Sequence, residues 1–170
     1  MYISNKYWNN YIGDSDDSLT LVEYLADKQI EIISLEEIFF DLKLNKLNGN
    51  FRQHDEPITV VLKNMNSEYN EQYVEFYYPI DIIIDIAAIL LECKKSGNVN
   101  LHELFGDDLK TVFSTIFIKS TQKEEEIIKN VLIDFSINPF EYSLSEMCPK
   151  EDMLKMSKIC RNLVKELYEE

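Results

Sequence analysis

The two histidines of this 170-residue chain, His54 and His102, are the side chains best suited to proton transfer or metal ligation near neutral pH. Neither stands in a helical H-x-x-x-H pair or beside cysteines at zinc spacing. His54-Asp55-Glu56 offers three ligand types in a row, but immediate neighbours cannot all turn to one ion, and before Pro57 an exposed loop is the plainer reading. His102-Glu103 opens like a zinc-protease helix and fails at Gly106, where the second histidine is required. Asp14, Asp16 and Ser18 imitate the first ligands of a calcium loop, yet Leu19 stands where the loop needs Gly and Leu25 where it needs a bidentate Glu. The chain has no G-x-G-x-x-G, G-x-x-x-x-G-K or G-x-S-x-G, so dinucleotide, P-loop and hydrolase-elbow chemistry lack their motifs. Asp81 and Asp85, one helical turn apart, have the spacing for paired acid–base work. With Glu92 they are read instead as a narrow solvated stripe on an otherwise apolar helix. No metal, cofactor or catalytic residue is therefore expected. The alternative is an enzyme of unrecognised type, metal-dependent or not, built on His54 and His102, or a general protein-interaction adaptor.

What remains is charge. Thirty-one acidic residues against 17 basic ones give a net charge of −14, which opposes attraction to phosphate backbones and anionic lipid. Neither nucleic acid nor membrane is expected as a direct ligand. A cationic protein would be drawn in, and faster at low salt. Between residues 14 and 41 the acids are Asp14, Asp16, Asp17, Glu23, Asp27, Glu31, Glu36, Glu37 and Asp41, against Lys28 alone, so this stretch holds more than half of the net charge. On a shared face these nine would form a partner-binding surface; the plain alternative is a solvated helix exterior.

These residues have to be positioned by a fold, and the composition is that of a packed protein: 45% hydrophobic, 12% aromatic, four Gly and four Pro. Without a linker-like stretch or a repeat, residues 1–170 read as one α+β domain. The acidic run Asp14 to Ser18 caps a helix carrying Leu21, Val22 and Leu25, and Ser34 with Glu37 has capping-box spacing for a short second helix. After the Asn48-Gly49 turn, Pro57 to Leu62 and Tyr73 to Tyr78 read as two antiparallel strands. Pro79 then opens a helix to about Cys93, so apolar that it must be the buried centre; its apolar run is too short and too acidic for a membrane span. Val99 to Leu104 and Val112 to Lys119 read as further strands, the second interior. Thr121 with Glu124 caps a helix running towards Pro139. A last helix from Pro149 shows Met153, Met156, Cys160, Leu163 and Leu167 as a docking stripe. The expected architecture is a small, mostly antiparallel sheet packed with the central helix and with N- and C-terminal helices.

Cys93, Cys148 and Cys160 are odd in number and without C-x-x-C spacing, which points to free thiols and a reducing compartment. The N-terminus shows no cationic segment followed by an apolar one, so the cytoplasm is the expected location.

The block Tyr7-Trp8-Asn9-Asn10-Tyr11-Ile12-Gly13-Asp14, followed by Asp16-Asp17-Ser18-Leu19, resembles small immunity proteins of bacterial polymorphic-toxin and contact-dependent growth-inhibition systems. So does Tyr78-Pro79-Ile80-Asp81-Ile82-Ile83 running into Leu90-Leu91-Glu92-Cys93. The resemblance implies a cytoplasmic, non-catalytic protein that binds the C-terminal domain of a cognate toxin, often a nuclease, and blocks its active site or another essential surface. It supplies no contact residues; the nine acids are chosen on electrostatic grounds.

Overall fold

The computed structural model describes residues 1–53, 55–63 and 71–169. Its centre is helix α4, which in chain order follows α1 (Tyr2–Lys6), α2 (Asp16–Asp27), β1 (Ile32–Ser34), α3 (Leu35–Asp41), β2 (Ile58–Leu62) and β3 (Gln72–Phe76). α4 runs Pro79–Ser96, and every residue from Pro79 to Cys93 is buried. Pro79 sits in its first turn, where a missing N–H costs nothing, and Gly97 ends it at φ +82, a left-handed conformation that only glycine takes freely. The Gly97 N–H closes the last turn onto the Cys93 carbonyl at 2.9 Å.

The rest of the chain wraps this rod. β4 (Val99–Asn100), α5 (Leu101–Phe105), β5 (Thr115–Lys119), α6 (Gln122–Ile137) and α7 (Lys150–Tyr168) complete the order. α7 buries Met153, Met156, Cys160, Leu163 and Leu167, the stripe its spacing predicts, and contacts both α6 and α4. The class is α+β, with seven α-helices and five strands among the described residues. The strands divide between two sheets: β5 lies between β1, which it pairs in parallel, and β4, antiparallel to it, while β2 and β3 form a separate antiparallel hairpin. β5 is thus interior in strand order, but its side chains alternate, with Ile116 and Ile118 buried and Thr115, Phe117 and Lys119 exposed.

Three local expectations are corrected. Val99 to Leu104 is a strand for two residues only, because the Asn100 side chain accepts the N–H groups of His102 and Glu103 and starts a helix there. β1 was not expected as a strand; it forms through pairing with the distant β5. The capping boxes at Ser34 and Thr121 make no side-chain cap bond, although helices begin immediately after both residues.

The N-terminal segment is folded inward. Trp8 is buried, its indole N–H donates to the Leu104 carbonyl at 3.0 Å, and Gly13 lies flat against its ring. A Cβ on Gly13 would stand 2.3 Å from the Trp8 ring, and its φ is +76, so both space and backbone require glycine. Arg52 bonds both carboxylate oxygens of Asp134, at 2.8 and 2.6 Å, tying the segment before β2 to α6.

Candidate interaction surface

The polar stripe on α4 is not solvated. Asp81, Asp85 and Glu92 are 9%, 2% and 0% exposed, which corrects the sequence expectation. The reason is the N-terminal segment, whose backbone donors need acceptors and find them on this stripe. Glu92 accepts the Ile3 N–H at 2.8 Å and the Ser96 hydroxyl at 2.5 Å. Asp85 accepts the Gly13 N–H at 3.1 Å and a short hydrogen bond from the Ser18 hydroxyl. Periodicity reports which face is polar; it does not report whether another segment covers it.

Burial has an electrostatic consequence. Desolvation, first of all, pushes Asp81 up to about 7, with the charges of Asp17 and Asp14 adding to the effect. It holds Asp85 well above the ordinary carboxylate range, against the opposing hydrogen bond from Ser18. Both face a cavity of about 180 Å³ whose wall also includes Asp14, Ser18, Cys148 and Asp152. Burial raises the Cys148 thiol as well, so it is no activated nucleophile. His102 is remote in role: its Nδ1 lies 3.2 Å from the Gly106 carbonyl oxygen of its own turn. His54 lies outside the described residues. Among those described, no three His, Cys, Asp or Glu groups are placed to hold a metal ion.

The nine acids of residues 14–41 separate into three groups. Asp17 and Asp27 are buried and serve the fold: Asp17 accepts the N–H groups of Tyr77 at 2.9 Å and Tyr78 at 2.7 Å, and Asp27 that of Lys63 at 3.0 Å. They do not belong to a surface. Glu37 and Asp41 are half-buried and share Lys28, with Tyr24 also donating to Asp41 at 2.8 Å, so these acids clamp α2 to α3. Asp14, Asp16, Glu31 and Glu36 are exposed and Glu23 is half-buried. Asp16 and Glu23, seven residues apart, share one face of α2, with Asp14 just ahead of it; Glu31 and Glu36 flank β1.

A second acidic surface escaped the sequence reading. On β3 and its flanks Glu71, Tyr73, Glu75 and Tyr77 are exposed, while Val74 and Phe76 point into the core. The signal was the period-two alternation from residue 73 to 77, which identifies a strand and equally identifies its outer face.

No helix among the described residues is long and apolar enough to cross a membrane. No curated protein and no solved structure matches the chain. A family model, Immunity protein 68, matches residues 2–167. That match takes in the inward-folded N-terminal segment, the central helix and α7 together, and the chain belongs to the Immunity protein 68 family.

Proposed function

We propose that this protein protects a bacterial cell by binding the C-terminal domain of a cognate toxin and holding it in a stoichiometric, occluded complex. The observation that carries this reading is the match of nearly the whole chain to an immunity-protein family. The net charge of −14, with Asp14, Asp16, Glu23, Glu31 and Glu36 left at least partly open to solvent, favours a basic toxin, and a nuclease is the basic toxin in view. Such a partner presents a cationic nucleic-acid-binding face, which exposed carboxylates complement. In this reading the chain makes and breaks no bond of its own, and it acts in the cytoplasm, where a toxin delivered by a neighbouring cell arrives.

Occlusion of the toxin and its enzymatic inactivation differ in stoichiometry. Titrating the C-terminal domain of a cognate toxin with this protein should reduce the toxin's activity linearly, with the end point at one equivalent. Loss of toxin activity at a small fraction of an equivalent, growing with time, would show turnover and refute occlusion.

A further inference from the structure

The outer face of the β2–β3 hairpin has the make-up of a contact surface. Tyr73 and Tyr77 are 66% and 50% exposed, on the side of β3 opposite the buried Val74 and Phe76. Across the hairpin, Val61 stands opposite Tyr73 and Thr59 opposite Glu75, which widens the face onto β2. The Tyr77 phenol donates to Glu75 at 3.0 Å, and the Tyr73 phenol faces Glu71 at 3.5 Å. Each aromatic ring is therefore aligned along the strand beside a carboxylate before any partner arrives, which lowers the ordering cost of binding.

The charge around the rings is one-sided. Over residues 55–63 and 71–77 the carboxylates are Asp55, Glu56, Glu71 and Glu75, against Lys63 alone. Asp17, the neighbour of Asp16, accepts the Tyr77 N–H at 2.9 Å, which sets the start of α2, with exposed Asp16, beside the end of the hairpin face. A second copy of this chain would bring the same carboxylates against themselves, and a phosphate backbone would be repelled. A cationic protein surface is the complement, since lysine and arginine pair with carboxylates and also pack over tyrosine rings.

We infer that the outer face of the β2–β3 hairpin is the docking surface for the toxin, with Tyr73 and Tyr77 as anchors and Glu71, Glu75 and Asp16 meeting lysines and arginines of a basic face. This rests on the immunity reading and adds the place of contact. Tyrosine, with tryptophan and arginine, is enriched among the few residues that carry most of an interface's binding energy. The other exposed apolar pair on a sheet, Ile32 beside Phe117 on β1 and β5, serves as the comparison site.

The probe is the C-terminal domain of the cognate toxin, immobilised for binding kinetics. A Tyr73→Thr/Tyr77→Thr protein keeps strand-forming residues and should melt like the wild type, yet bind about 100-fold more weakly, chiefly through faster dissociation. Tyr77→Lys alone gives a second reading, with at least about a tenfold loss expected from a cation placed inside the patch. Ile32→Thr/Phe117→Thr should bind within about twofold of wild type. Wild-type binding together with unimpaired binding by both tyrosine variants overturns this placement and leaves the immunity reading standing, as does a loss confined to the Ile32 and Phe117 variant. Failure of the wild type to bind the toxin domain overturns both.

Discussion

Asp16 and Asp17 are neighbours in sequence and opposites in structure. Asp16 opens α2 towards solvent, whereas Asp17 turns inward and holds the backbone N–H groups of Tyr77 and Tyr78 at the entrance to α4. The same division runs through the molecule. On the inner side, Asp85 and Glu92 of α4 and Asp17 and Asp27 of α2 accept hydrogen bonds from segments that regular secondary structure leaves unsatisfied. On the outer side, Asp14, Asp16, Glu71 and Glu75 face water. Net charge counts both populations equally, yet only the second can meet a partner. Residue type alone therefore does not identify a binding surface; the partners of each carboxylate do.

The inner region should respond to substitution as a packed core does. Ile83 is fully buried on α4, and Ile83→Ala should cost about 2–5 kcal/mol in chemical denaturation through lost contacts and a residual cavity. A loss under about 1 kcal/mol would mean that α4 is not the centre of the fold. Next in size is the adjacent pair. Asp17→Ala strands two backbone donors and should cost about 1–3 kcal/mol, while Asp16→Asn should stay within about 0.5 kcal/mol of wild type. Equal effects at the two positions would erase the distinction between inner and outer acids.

A pH series sharpens the same contrast. Asp81 is raised to about 7 by burial, whereas in the unfolded chain it titrates near 4, at about 3.9. Between these values the native state holds a proton that the unfolded state releases, so this group lowers stability as pH rises from about 4 to about 7 and leaves it level above. Asp85, raised in the same direction, adds to the decline. Asp81→Asn should match the wild type near pH 4 and melt higher near pH 7.5. A variant that melts alike at both values, or lower at the higher one, would contradict a buried, proton-holding Asp81.

Much of this molecule was legible in its sequence, and the failures share a cause. The capped start of α2, the Pro79 start of α4, the hairpin strands and the stripe of α7 are local patterns, and each formed where its residues indicated. β1 was missed because its pairing partner lies far along the chain at β5, and three residues carry no period of their own. The α4 stripe was misjudged because its cover is the segment around Ile3 and Gly13, about eighty residues earlier in the sequence. Of the nine acids proposed as a binding surface, Asp17 and Asp27 were lost to the same kind of long-range bond, to Tyr77 and to Lys63. The outer face of β3 is legible through its alternation, but its carboxylates are fewer than those between residues 14 and 41, so charge density alone does not single it out.

If the partner is the basic toxin domain proposed above, the outer carboxylates guide its approach and the inner ones do not. The association rate constant with a cognate toxin domain, measured from low to high salt for wild type and for Asp14→Asn/Asp16→Asn/Glu23→Gln, tests this division of roles. The variant should associate about 3–10-fold more slowly at low salt, converge with wild type as salt is added, and melt at an unchanged temperature. Identical rates and identical salt slopes for the two proteins would contradict it.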